Sequence, residues 1–242
     1  TYIYCGSLRK RSDYLCVIWK GNKTGKSGLV SEIFSWASVI VVAVVLAWFL
    51  TSFIIINATV PSGSMQDTIQ PGDRLFGLRL TYYFSSPRRG DIAVFKYPVN
   101  EALIAELDDK EGKAFLKEYG IKHTNYIKRV IGLPGETVQI KEGKIYIDGE
   151  LLEEDYLKEE WTVRNDGFTF EVPEDCYLML GDNRNNSSDA RYWAELAYSY
   201  FQAAGVDISV EDAVSLSFVP KKYLIGKAYV RYWPVWKMAV LH

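Results

Sequence analysis

Histidine is almost missing from this chain. Its 242 residues hold only His123 and His242, and neither has cysteine, aspartate or histidine neighbours at metal-ligand spacing, so no metal and no cofactor is implied. Cysteine is scarce as well. Cys5 and Cys16 precede a long apolar run and Cys176 follows it, which excludes a disulfide framework and leaves Cys176 reading as a small buried hydrophobe. No sign of charge prevails: 28 basic and 30 acidic residues are scattered to a net charge of -2, without the one-signed field that nucleic-acid binders use. Nucleic acid is therefore not an expected partner. Repeats, low-complexity tracts and a long flexible linker are also absent.

What is present begins with a stretch that carries no charge. From Ile33 to Gln66 there is no Asp, Glu, Lys or Arg, and about Ile33–Ile56 is predominantly apolar, with Val39–Leu46 unbroken. That length spans about 30 Å of hydrocarbon as a helix, and it shows only scattered Ser and Thr in place of the polar stripe of a core helix. Arg9, Lys10, Arg11, Lys20, Lys23 and Lys26 stand before it against Asp13 and Glu32, while the first basic residue after it is Arg74. The positive-inside rule then predicts a cytoplasmic basic segment over residues 1–30, a single transmembrane helix over 31–56 and an extracytoplasmic domain over 57–242. The run exceeds a secretory signal's apolar core and no small-x-small site follows promptly, so it reads as an anchor that is retained.

Beyond the anchor the pattern is mostly β. Asn57–Val60, Asp91–Tyr97, Asn125–Leu133, Phe168–Val172, Cys176–Leu180 and Gly226–Trp233 read as strands, and Thr137–Lys141 with Lys144–Ile147 as a hairpin turning at Glu142-Gly143. Two helical insertions interrupt them. Glu101–Tyr119 suits a surface helix broken near Gly112, and a second insertion over 193–217 holds a helix from Trp193 to Ala204 and then Ser209-x-x-Asp212, which looks like a capping box.

Three clusters carry chemistry in combination: Val60-Pro61-Ser62-Gly63-Ser64-Met65, then Tyr126-Ile127-Lys128-Arg129 running to Pro134-Gly135, then Gly181-Asp182-Asn183-Arg184-Asn185-Asn186-Ser187-Ser188-Asp189-Ala190-Arg191. Singly, each is an ordinary turn, strand or loop. Together, in this order and on one side of a membrane, they resemble the bacterial type I signal peptidases. The family's serine motif reads here as Pro61-Ser62-Gly63-Ser64-Met65-Gln66-Asp67-Thr68-Ile69, departing at Asp67 and mildly at Ile69. Pro71-Gly72-Asp73 and Arg89–Phe95 match further segments, the lysine motif is intact, and the last motif has Asn185 where Asp is common and Ala190 where Ser is common.

The resemblance implies a membrane-bound serine endopeptidase of a bacterial plasma membrane, with a β-rich catalytic domain that cleaves signal peptides from exported preproteins at small-x-small sites. Ser64 would be the nucleophile, Lys128 its general base, Ser187 the residue orienting the lysine, and the Ser62 hydroxyl with the Ser64 N–H the oxyanion hole. Asp182 with Arg129 and Asp189 with Arg191 would be structural ion pairs binding the last loop to the lysine strand. Its partners would be preprotein signal peptides and the lipid bilayer, with monomer as the default state.

The residues themselves say why a lysine is needed. A serine hydroxyl requires a positioned base, and with two histidines so placed a triad is not available. A lysine accepts a proton only when neutral, which asks burial to lower its pKa by roughly 2–3 units from about 10.4. Lys128 should accordingly lie in a dry site beside Ile127, Val130 and Met65, where an arginine could not replace it. Self-cleaving repressor-type proteases share the Ser-Lys chemistry but are soluble, and Ile33–Ile56 argues against them; a non-enzymatic exported β-domain is the rival from another class.

Overall fold

A computed structural model of the chain describes residues 26–66, 68–121, 125–157, 159–162 and 167–241. The basic residues up to Lys23, together with Cys5, Cys16, Asp67, His123 and His242, lie outside that set. The described residues fall into two compact units that part between Leu46 and Ala47.

The first unit is built on helix α1 (Lys26–Phe49), whose 24 residues give a rod of about 36 Å. Ile33, Trp36, Val42 and Trp48 are all more than half exposed on it, so its apolar surface has no covering partner among the described residues. Ser31–Ile54 is the one stretch among them long and apolar enough to cross a membrane. The helix does not run to Ile56 as the hydropathy predicts. After one turn of wider winding over Leu50–Ile54 the chain becomes strand β1 (Ile55–Thr59), in which Ile55 and Ile56 sit opposite Leu78 and Gly77 of β2 (Arg74–Leu78). Isoleucine is at home on a pleated, half-buried surface, and the ladder supplies partners that a lone helix lacks.

The second unit is mostly β, as predicted. Its further elements are helix α2 (Thr81–Phe84), strand β3 (Ile92–Lys96), helices α3 (Pro98–Leu107) and α4 (Asp109–Glu118), and strands β4 (Asn125–Gly132), β5 (Thr137–Lys141), β6 (Lys144–Ile147), β7 (Glu150–Leu151), β8 (Thr169–Glu171) and β9 (Cys176–Leu180). Helices α5 (Ala190–Ala203) and α6 (Val210–Ser215) and strands β10 (Phe218–Pro220), β11 (Leu224–Trp233) and β12 (Ala239–Val240) complete it. Among the described residues the strands form two antiparallel sheets. The larger runs β1-β2-β11-β3-β4-β9-β10 with β12 beside β11, and the smaller runs β7-β6-β5-β8.

Burial alternates along β2 and β5, whereas β3, β4 and β9, inner strands of the large sheet, are buried in near-continuous runs on both faces. Phe95, Val130 and Leu178 of the large sheet meet Val138, Ile140, Ile145 and Phe170 of the small one, with Trp193 and Ala197 of α5 closing the same core. A second, smaller core of Val60, Met65, Ile69, Leu75, Ile92 and Ala228 lies beneath the loop that carries Ser64. That loop is thus held from below by apolar packing.

Both helical insertions exist, with corrected details. The first is a helical hairpin that breaks at Asp108, not at Gly112. Asp108 adopts a φ of 71° and its carboxylate accepts from the N–H groups of Lys110 and Glu111 at 2.7 and 2.9 Å, capping α4. Gly112 lies inside α4 for another reason: a Cβ there would stand 2.6 Å from Ile104 Cα, so only glycine lets the two helices close. In the second insertion α5 starts at Ala190, three residues earlier than expected, because Asp189 caps it. Ser209 caps α6 by accepting from Asp212 N at 3.0 Å, as the capping pattern predicts. Leu103, Leu116 and Phe201 join the insertions in a small core of their own.

Candidate active site

The loop after β1 is clasped at its neck, where Val60 N donates to Asp73 O at 2.9 Å and Gly72 N to Val60 O at 2.8 Å. Inside it, Ile69 N donates to Met65 O, and the fully buried side chains of Met65 and Ile69 fix the turn on the smaller core. Ser64, one residue earlier, is thereby held at the rim with its hydroxyl turned toward β4.

Strand β4 brings the lysine. A hydrogen bond of 2.6 Å joins Lys128 Nζ and Ser64 Oγ across 64 residues of sequence, and the amine also donates to Ile127 O at 3.2 Å. Lys128 is only 3% exposed. Burial pulls its amine from an ordinary 10.5 down to about 8, against the Asp189 and Asp182 carboxylates, which favour the charge, while Arg191 adds to the lowering. A fraction of the amine is then neutral near pH 7, and along the same short line a neutral amine accepts the serine proton. Ser62 Oγ lies 3.4 Å from Ser64 Oγ, and the Ser64 N–H has no acceptor among the described residues. Two donors therefore flank the hydroxyl.

The third motif forms the loop after β9 and is stitched to the first. Asn183 N donates to Ser64 O and Asn183 Nδ2 to Gly63 O, each at 3.1 Å. Asp182 takes a two-pronged bond from Arg129 of β4, Nε to Oδ1 at 2.8 Å and Nη2 to Oδ2 at 2.7 Å, with both side chains almost wholly buried. This pair ties loop to strand. Asp189 and Arg191 pair at 2.7 Å, and Asp189 Oδ2 accepts from Gly181 N, so this second pair closes the loop on its own base.

Ser187 departs from its expected place. Its hydroxyl makes no hydrogen bond with Lys128; it is buried and has no partner among the described residues, while Ser64 Oγ and Ile127 O bond the amine. It is nonetheless close by. A Cβ built on Gly181 would meet Ser187 Oγ at 2.2 Å and Ser64 O at 2.4 Å, so both atoms crowd the one point that glycine leaves empty.

Replacing Asp182 with Asn leaves a buried guanidinium facing a neutral amide. Removal of one partner from a buried pair costs about 3 kcal/mol or more, and the variant is expected to unfold several degrees lower on heating. An unchanged melting temperature would show that Arg129 and Asp182 do not hold loop and strand together.

The chain matches, over residues 33–233, the family described as signal peptidase, peptidase S26. It belongs to the signal peptidase family. It is 37% identical to a signal peptidase I from Leptolyngbya laminosa over 82% of this chain and 79% of that one. To a probable signal peptidase I-2 from Synechocystis sp. it is 34% identical, over 83% of this chain and 73% of the relative. A crystal structure of a signal peptidase I from Enterococcus faecalis V583 covers 59% of this chain and 97% of that chain at 27% identity, with a TM-score of 0.36.

In this member of the signal peptidases, several further residues surround Ser64 and Lys128. Asn183 lies within the last motif, yet nothing in its neighbours foretells two bonds to the serine loop. Thr68 donates to Asp182 Oδ2, linking the serine loop to the buried ion pair. Arg184 is buried against Glu154, 30 residues away, and Arg129 stacks at 3.9 Å over the Tyr156 ring. Asn185, where the family favours Asp, accepts from Thr162 N at 2.8 Å and donates to Glu160 O at 2.9 Å. A carboxylate could not make the second bond, so the departure suits this chain's own strap over 160–162.

Proposed function

We propose that this peptidase cleaves signal peptides from preproteins at small-x-small sites, with Ser64 as nucleophile and Lys128 as general base. The observation that carries the reading is the 2.6 Å contact between a buried amine and the hydroxyl, with the amine's pKa brought to about 8. Ser64 Oγ attacks the scissile carbonyl carbon as its proton passes to Lys128 Nζ. The oxyanion lies against the Ser62 hydroxyl and the Ser64 N–H. When the C–N bond breaks, Lys128 returns the proton to the departing amine; a water, deprotonated by the same lysine, then splits the ester and frees Ser64. Ser187 keeps a supporting place, its free hydroxyl available to the amine when the serine proton is in flight. Asp182, Arg129, Asp189 and Arg191 act by holding the loop.

An extended substrate has a place to bind. Along β4, strand β9 pairs only from Arg129 onward, while β3 covers the other side from Asn125, so Asn125–Lys128 keeps one unpaired edge among the described strands. Strand β1, which leads to Ser62, likewise ends its sheet with a free edge. A peptide added as a strand there presents alternate side chains toward Ser64, and in this reading the buried Met65 and the partly buried Ile127 restrict those positions to small residues. A preprotein with Leu in place of Ala just before the cut is expected to be processed at least about 100-fold more slowly in kcat/KM. Equal rates for the two would end the small-pocket reading.

The same reading places α1 across a bacterial plasma membrane, residues 1–30 in the cytoplasm and 57–242 outside. Exposed Tyr83, Phe84, Val235, Trp236 and Met238 supply aromatic and apolar side chains suited to the membrane interface. Protease added outside spheroplasts should digest the catalytic unit and spare the basic segment. The reverse pattern would invert the topology.

A decisive test of the chemistry is trapping. Brief incubation with a preprotein followed by acid quench should leave the signal peptide as an ester on the Ser64 peptide by mass spectrometry. Turnover with an adduct at another residue would refute the assignment.

A further inference from the structure

Beside the serine loop the last motif and helix α5 border a wide-open cavity of about 450 Å³, lined by Asn186, Ser187 and Ser188 of the motif and Tyr192, Glu195 and Leu196 of the helix. Family motifs do not reach Glu195, and no step described above uses it. We infer that this cavity receives the part of the substrate that follows the scissile bond, and that Glu195 selects a lysine or arginine within its first few residues.

Three observations converge on that occupant. Position is the first: Ser187 lines the cavity, and its Oγ and the backbone O of Ser64 lie 2.2 and 2.4 Å from the one point that a Gly181 Cβ would occupy, so the cavity borders the backbone of the serine loop. Path is the second. A peptide lying along the free edge of Asn125–Lys128 is collinear with β9, which pairs with β4 from Arg129, and cannot continue straight past the dyad. It meets Gly181 and Asp182 and must turn across the loop that walls the cavity. Chemistry is the third. Ser187 Oγ is buried with no partner, and the exposed Glu195 carboxylate has no ion pair among the described residues. The exposed Ser188 hydroxyl and Asn186 amide supply hydrogen bonds to a peptide backbone, Tyr192 and Leu196 supply apolar contact for a lysine or arginine stem, and Glu195 supplies the counter-charge.

The inference rests on Ser64 as the nucleophile, and the test separates the two claims. The full chain in detergent would be given matched preprotein peptides that differ only at the third residue after the cut, which is Lys, Gln or Glu. Wild type should cleave the Lys peptide about fivefold faster in kcat/KM than the Gln peptide, with Glu slowest, a preference that shrinks with added salt. Glu195→Gln should level the three, and Glu195→Lys should favour Glu, while the Gln peptide keeps its rate in both variants. A charge preference unaltered in both variants, or one equally strong for residues before the cut, overturns the subsite. If Ser64→Ala is inactive on all three peptides, such a result leaves the dyad standing; if Ser64→Ala still cleaves, both readings fall.

Discussion

Ser64→Ala is expected to abolish preprotein cleavage, with a fall in kcat of at least about 10⁴-fold, because among the described residues Ser64 Oγ is the hydroxyl bonded to the buried amine. A fluorescent preprotein assay measures this directly. Ser64 is bonded at 2.6 Å to Lys128 and faces Ser62 Oγ at 3.4 Å, so its loss takes away the attacking atom and leaves the two supporting groups in place. The fold should survive, since the loop is anchored by Met65, Ile69 and the clasp from Val60 to Asp73. Ser62→Ala removes one oxyanion donor and should cost less, about 10²–10³-fold. Activity in Ser64→Ala above one part in a hundred would place the nucleophile elsewhere.

The second large effect concerns Lys128, and it joins activity to stability. Activity should climb with pH through about 8 as the amine loses its proton, and both Lys128→Met and Lys128→Arg should be as inactive as Ser64→Ala. Stability should move the other way in Lys128→Met. Burial lowers the lysine pKa from 10.5 to about 8, so the folded state disfavours the charge. Between these values the unfolded chain binds more protons than the folded one, and wild-type stability rises as pH increases from about 8 to about 10.5. Below about 8 both states are charged and the folded protein bears the whole cost, about 3 kcal/mol. Methionine removes that cost. At pH 7 Lys128→Met should therefore melt at a higher temperature than wild type, with the gap closing toward pH 10.5. A variant less stable than wild type at pH 7 would mean that the amine is not held at a cost to folding, and a rate independent of pH between 6 and 9 would remove it as the base.

These expectations put the site among places where a protein keeps an unfavourable group because its chemistry needs one. The surroundings fit that view. Asp182 and Asp189 lie near enough to favour the lysine's charge, yet each is engaged elsewhere, Asp182 by Arg129 and Asp189 by Arg191. Their guanidinium partners leave burial as the largest influence on the amine.

Much of this was legible in residue order. The uncharged run before Gln66 announced a helix apolar on every side, since no soluble packing accounts for two dozen residues with so few polar groups. Alternation announced the strands; β5, β6 and β9 have the bounds it predicts. The scarcity of histidine, with three short motifs in a known order, pointed to Ser64 and Lys128 before any distance was available. Local chemistry sufficed because the anchor is one unbroken run and every strand and motif is a short contiguous stretch of sequence.

Only the tertiary structure decided the rest. Ile55 and Ile56 left the helix for a strand because β2, some 20 residues further on, offered hydrogen bonds that no local pattern reveals. The helical break moved from Gly112 to Asp108 because Gly112 is needed where two helices touch. Ser187 lies buried without the expected bond to the lysine, and Asn183, Thr68 and Glu154 gained partners between 30 and 120 residues away. Sequence determined which elements form and which chemistry is on offer, since propensity and periodicity act over a few residues. Burial and pairing between distant segments decided which atoms meet, because the desolvation that lowers the pKa of Lys128 exists only once the sheets, the serine loop and the last loop have closed around it.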